Sequence, residues 1–180
     1  MLSDLQRQKL TRYFRVYDVD DDGRIGPADF RRVVENVRIL HGLADGSPAH
    51  EELLDGYLKR WESLRAHADA DRDGGVDLDE WLGYWEGVVE DDDRYREEVA
   101  PVTIRMLEIF DTDEDGVLGP DEFADYFGVY GLSVDMARRV FDELDANDDG
   151  AISREELVEM SEVFHRGDEP GAPGNRFLGP

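Results

Sequence analysis

Apolar residues recur along this chain at helical spacing, in short stripes interrupted by acidic, glycine-bearing breaks. Phe14 and Tyr17 precede the first break, Leu107 and Phe110 the third, and Phe141 and Leu144 the fourth, each pair on one helical face. Ahead of the second break Arg65 and Ala68 hold those places, and Trp61 and Leu64 carry the stripe. Beyond the breaks the stripe resumes with Phe30, Val33 and Val34, then Trp81, Tyr84 and Trp85, then Phe123, Tyr126 and Phe127, then Leu157 and Met160. This predicts an all-α chain built from four helix, loop, helix segments. Pro27 and Pro120 fall in a first helical turn, where a missing N–H costs nothing. Ser153 and Glu156 have capping-box spacing. Gly42, Gly46 and Pro48 predict a break between two helices in the long stretch that separates the first two loops.

The four breaks are copies of one pattern: DVDDDGRIGPAD at 18–29, DADRDGGVDLDE at 69–80, DTDEDGVLGPDE at 111–122 and DANDDGAISREE at 145–156. Each has Asp at position 1, Asp or Asn at 3 and 5, Gly at 6, an aliphatic residue at 8 and a carboxylate at 12. Oxygen donors on alternate residues suit a hard cation such as calcium, which takes about six to eight oxygens at about 2.3–2.6 Å. Gly at 6 permits the sharp turn around the ion.

The expected donors of the first loop are Asp18, Asp20, Asp22, the Arg24 carbonyl, a water beside Gly26, and Asp29. In the second they are Asp69, Asp71, Asp73, the Gly75 carbonyl, Asp77 and Glu80. The third offers Asp111, Asp113, Asp115, the Val117 carbonyl, a water beside Gly119, and Glu122. The fourth offers Asp145, Asn147, Asp149, the Ala151 carbonyl, Ser153 and Glu156. Asp29 is one methylene shorter than Glu, which predicts that the first site is the weakest or the most tolerant of magnesium.

The charge balance agrees with a cation as partner. With 45 acidic against 20 basic side chains the formal charge is −25, which repels nucleic-acid phosphates and anionic lipid headgroups. The 40% hydrophobic content, including three Trp, argues for a folded chain despite that charge. There is no Cys, so neither a disulfide framework nor a zinc–thiolate site is available. A charged N-terminal segment and the lack of a long apolar run predict a cytoplasmic protein without a membrane span, and a monomer is expected. Neither a phosphate-binding glycine loop nor a nucleophile-elbow serine occurs, so no enzymatic activity is expected.

The spacing of the loops predicts two pairs joined by short antiparallel bridges, Ile25 with Val76 and Leu118 with Ile152. The expected organisation is an N-terminal pair over 1–90, a C-terminal pair over 91–165, and a flexible Gly- and Pro-rich tail over 166–180. Phe177 and Leu178 are the residues of that tail able to plug an apolar groove. The acidic stretch from Glu86 to Glu98 reads as a solvated linker or helix end, and Pro101 either opens or kinks the following helix.

On these loops, the wide first spacing and the aromatic-rich helices, the chain resembles EF-hand proteins of the sarcoplasmic calcium-binding and bacterial calerythrin-like family over residues 3–165. The resemblance implies a compact helical fold of two EF-hand pairs and a role as an intracellular calcium buffer or transporter. Family members commonly have a disabled hand, whereas all four loops here carry a full donor set. Photoproteins that bind a luciferin are relatives of this fold and form a remote alternative. The nearer alternative is a sensor exposing an apolar groove to a target protein. Sensors use Met-rich grooves. With Met at 1, 106, 136 and 160 only, and with aromatic-rich faces, a buffer is the favoured reading and no protein target is indicated.

Overall fold

The computed structural model describes residues 1–178. In chain order these form α1 (Asp4–Tyr17), β1 (Arg24–Ile25), α2 (Pro27–Leu40), α3 (Pro48–Ala68), β2 (Val76–Asp77), α4 (Leu78–Glu90), α5 (Asp92–Glu98), α6 (Ala100–Phe110), β3 (Val117–Leu118), α7 (Pro120–Val129), α8 (Val134–Leu144), β4 (Ile152–Ser153) and α9 (Arg154–Arg166). A 3-10 turn, Pro173–Arg176, follows. The chain divides into two compact units: Thr11–Trp85, and Met1–Leu10 together with the chain from Glu86 onward. Both dividing points fall inside helices, α1 and α4.

In the Thr11–Trp85 unit, β1 and β2 pair antiparallel with Ile25 opposite Val76 and Arg24 opposite Asp77. Ile25 and Val76 have no solvent exposure, so the bridge is anchored by two side chains of the core. The end of α1 presents Tyr13, Phe14 and Tyr17 to Trp81 of α4, at ring separations of 5.2, 6.2 and 6.0 Å. Phe30 of α2 meets Trp61 of α3 at 5.7 Å, which explains how Trp61 replaces the missing apolar pair ahead of the second loop. Between these helices Gly42 and Gly46 adopt φ of +62° and +67°, and Ser47 caps α3 by accepting the His50 N–H at 3.3 Å.

In the second unit β3 and β4 pair with Leu118 opposite Ile152, both fully buried. Phe123 and Phe127 meet at 5.0 Å with tilted rings, and Phe123 meets Phe141 of α8 at 5.8 Å. The same alternation of apolar stripe and acidic loop therefore builds each pair, with the position-8 residues at its centre.

Three expectations change. The stretch from Glu86 to Glu98 is largely helical: α4 runs to Glu90, and Asp91 then caps α5 by accepting the N–H groups of Asp93 and Arg94, both at 3.0 Å. Tyr95 on α5 is buried, which gives this acidic segment an apolar anchor. Pro101 lies in the first turn of α6 and opens it.

The tail is not a free segment. Phe177 and Leu178 are 4% and 3% exposed, and Gly174 packs so tightly that a Cβ there would lie 2.7 Å from Val163. Burial of two large apolar side chains, each contributing about 1.5–3 kcal/mol, outweighs the flexibility that Gly and Pro suggest. Gly179 and Pro180, the last residues of the expected tail, lie outside the described residues.

The unit boundaries also differ from a division at residue 90, because the first turns of α1 belong with the C-terminal pair. Lys9 accounts for this. It is 1% exposed, and its ammonium donates to the carbonyls of Val163 and Gly167 at the end of α9 and to Asn175.

Candidate metal centres

Each loop is curled by the same backbone device. Position 6 is left-handed in every copy, with φ of +85° at Gly23, +93° at Gly74, +87° at Gly116 and +86° at Gly150. Position 4 is left-handed too, at Asp21, Arg72, Glu114 and Asp148, with φ between +57° and +62°. These side chains carry no glycine signal. A non-glycine residue held there costs about 1–2 kcal/mol, so the loop imposes the conformation and the residue type does not announce it.

The curl turns peptide N–H groups onto the carboxylates. Asp18 accepts from the N–H of Asp22 at 3.0 Å and of Gly23 at 2.9 Å. Asp69 does the same with Asp73 and Gly74, both at 3.2 Å. Asp111 accepts from Asp115 at 3.1 Å and Gly116 at 2.9 Å, and Asp145 from Asp149 and Gly150 at the same distances. Position 5 accepts from the N–H of position 7 in all four: Asp22 from Arg24, Asp73 from Gly75, Asp115 from Val117 and Asp149 from Ala151. Each of these carboxylates is thus oriented by one or two accepted N–H groups, and a carboxylate has further lone pairs with which to meet an ion.

The closing carboxylate bridges the loop. Asp29 accepts from Val19 N–H at 3.0 Å and Gly26 N–H at 2.8 Å. Glu80 takes Ala70 at 2.8 Å and Asp77 at 3.0 Å, and Glu122 takes Thr112 at 2.7 Å and Gly119 at 3.0 Å. The shorter Asp29 therefore reaches the same two loop positions as the glutamates. In the fourth loop Glu156 accepts from the N–H and hydroxyl of Ser153 at 2.9 and 2.8 Å, and Ser153 accepts the Glu156 N–H in return. Ser153 is thus engaged as the cap of α9, and Asp77 caps α4 likewise by accepting Glu80 N–H at 2.9 Å.

Three of the loops gather carboxylates tightly enough for one ion. Asp18, Asp20 and Asp22, then Asp69, Asp71 and Asp73, and then Asp111, Asp113 and Glu122 each offer ligand oxygens within 4.8 Å of one another. Two oxygens on opposite sides of one calcium, at about 2.4 Å each, are separated by about that span. No such trio of carboxylates forms in the fourth loop among the described residues, where Asn147 supplies an amide oxygen in place of a third acid.

Electrostatically the closing residues differ. Burial pushes the Asp29 carboxyl above its ordinary range; the N–H groups of Gly26 and Val19 offset this in part, while Asp20 and Asp18 add repulsion. Burial also acts on Glu122, but the N–H groups of Gly119, Thr112 and Asp113 and the Thr112 hydroxyl outweigh it and hold that carboxyl below its ordinary range. Asp73 has a cationic neighbour already, since it is ion-paired with Arg24 of the first loop. Neither that pairing nor the Thr112 hydroxyl, 2.9 Å from Glu122, is signalled by the loop pattern.

Paired helix, loop, helix segments with oxygen-lined loops and a two-residue bridge between position-8 residues define an EF-hand protein. An EF hand family model matches residues 11–34, 67–82, 104–127 and 137–161, one segment on each loop. A sarcoplasmic calcium-binding protein of Perinereis vancaurica tetradentata is 30% identical over 136 residues, covering 75% of each chain. Calerythrin of Saccharopolyspora erythraea is 23% identical over 169 residues, covering 93% of this chain and 96% of its own. The solved sarcoplasmic calcium-binding protein of amphioxus superposes with a TM-score of 0.76 at 19% identity, over 100% of this chain and 99% of that one. The chain belongs to the EF-hand calcium-binding family of sarcoplasmic calcium-binding proteins and calerythrin. Calcium is the ion its acidic loops serve.

Proposed function

We propose that this chain is a cytoplasmic, monomeric calcium buffer holding up to four ions, one in each loop, through the donor residues named above. The observation that carries this reading is that loops curled around a binding centre coexist with covered apolar faces. Phe123, Phe127, Leu157 and Phe164 have no more than traces of exposure, and Met160 is 7% exposed. Among the described residues the exposed large apolar side chains are Met1, Ile39, Leu40 and Val134, and the aromatic faces of the helices are not among them. A sensor needs an exposed apolar groove when its loops are engaged.

The mechanism is electrostatic coupling of folding to binding. The loop carboxylates repel one another, and each calcium removes two negative charges from a chain of −25. Near-ultraviolet circular dichroism and an apolar-surface dye, followed while calcium is added to chelator-treated protein, test the reading. A buffer gives rising tertiary signal and falling dye fluorescence. Dye fluorescence that rises with calcium marks a sensor and sinks the buffer.

A further inference from the structure

The first loop reaches into the second. Arg24 stands at position 7 of loop one, where its carbonyl is a proposed donor, yet its side chain crosses the bridge and ion-pairs with Asp73, a proposed ligand at position 5 of loop two. The antiparallel register fixes the reach, because Arg24 lies opposite Asp77, next to Val76 opposite Ile25.

A second observation marks the same contact from the other side. Gly75 holds position 7 of loop two, and a Cβ there would lie 2.7 Å from Arg24 Nε and 3.0 Å from its Nη2. Gly75 is not among the positive-φ residues, so its backbone does not demand glycine. A side chain there would push aside the guanidinium that lies across it. The other pair has no such arrangement in its sequence, with Val117 and Ala151 at the corresponding positions.

We infer that Arg24 is a built-in brake on calcium binding at the second loop, supplied by the first. The inference rests on the calcium-binding reading of loop two. A divalent ion gathered by Asp69, Asp71 and Asp73 must share Asp73 with a fixed positive charge, and the two cations repel. Arg24 also makes the two loops interdependent: an ion in loop two loosens a side chain whose own peptide belongs to loop one. Both partners are partly exposed, at 42% and 39% of the side chain, so the brake is moderate and weakens as salt screens it.

The test is a calcium titration of the full chain followed by two-dimensional amide NMR. It reads Gly74, which donates to Asp69, for loop two and Gly23, which donates to Asp18, for loop one. Arg24→Ala keeps the carbonyl and removes the charge, and Gly75→Ala keeps the charge and displaces it. Lys59→Ala removes an equal charge from the surface of the same unit, where Lys59 pairs with Asp55. Arg24→Ala tightens calcium at the Gly74 reporter by about three- to fivefold at low salt, the gain shrinking at high salt, and Gly75→Ala does so by a smaller factor. Lys59→Ala leaves the reporter unchanged. Wild-type titration by both Arg24→Ala and Gly75→Ala, or an equal gain from Lys59→Ala, overturns the brake. A Gly74 amide that ignores calcium in the unsubstituted protein overturns the calcium reading of loop two, and the inference with it.

Discussion

The buried ammonium of Lys9 donates to the side-chain oxygen of Asn175 at 2.9 Å, joining the first helix to the C-terminal turn. Its other acceptors, the carbonyls of Val163 and Gly167 at 2.9 and 2.7 Å, are at the end of α9, where the helix dipole favours a cation. Asn175 is held in turn by donating to the Glu169 carbonyl at 2.7 Å. Asn175→Ala leaves a buried charge short of an acceptor and costs about 1–3 kcal/mol. Thermal unfolding of the calcium-loaded protein checks this. Deleting residues 167–180 uncovers the surface beneath Phe177 and Leu178, and so both lowers the melting temperature and raises binding of an apolar dye. An unchanged melting temperature for both variants contradicts the packed tail.

Gly116 has open space around its Cβ position, so Gly116→Ala introduces no clash. Its φ of +87° is the whole cost. About 1–2 kcal/mol of backbone strain falls on the curled loop, and calcium at the third site weakens by roughly tenfold. Calorimetric titration of the variant reads this as one weakened site, with the other sites intact.

Asp29 and Glu122 close their loops through the same two N–H positions, but only Glu122 joins its loop's trio of ligand oxygens. A closing carboxylate one methylene shorter than Glu reaches an ion with both oxygens less readily, which favours the smaller, six-coordinate magnesium. Asp29→Glu shifts the first site toward calcium by about tenfold over magnesium, or about 1.4 kcal/mol. Following the Gly23 amide during calcium titration, with and without millimolar magnesium, measures the shift. Equal magnesium competition before and after the substitution sinks the idea.

The loops were legible because ion binding constrains residue type at fixed spacing: Asp18 and Gly23 are chemically obliged, and so are their counterparts. The position-8 bridges and the helix break near Gly42 and Gly46 were legible for similar local reasons. The left-handed turns at Arg72 and Glu114 were not, since loop closure imposes them on residues that do not favour them. The packing of Phe177 was hidden by a Gly- and Pro-rich setting, because composition reports local freedom and not the surface that awaits the chain. Nothing in the sequence marks Lys9 for burial or the Arg24 side chain for an ion pair. Their partners, Asn175 and Asp73, are far along the chain and are brought close only by the fold.

The calcium reading also predicts a dependence of stability on the ion. An ion that binds the folded state alone stabilises it by about 2.7 kcal/mol per site at a hundred times its dissociation constant. Adding chelator to the loaded protein therefore lowers the melting temperature steeply. Glu122→Gln, which weakens the third site's closing carboxylate, lowers it in calcium but changes it less in chelator. Equal losses in both conditions mean that Glu122 acts on the fold alone.

Calorimetric titration of chelator-treated protein with calcium asks whether the four loops hold the ion at all. Four loops with complete donor sets predict saturation at three or four ions per chain, the fourth loop counting among them despite Asn147. Heat that stays at the level of dilution throughout the titration contradicts the account.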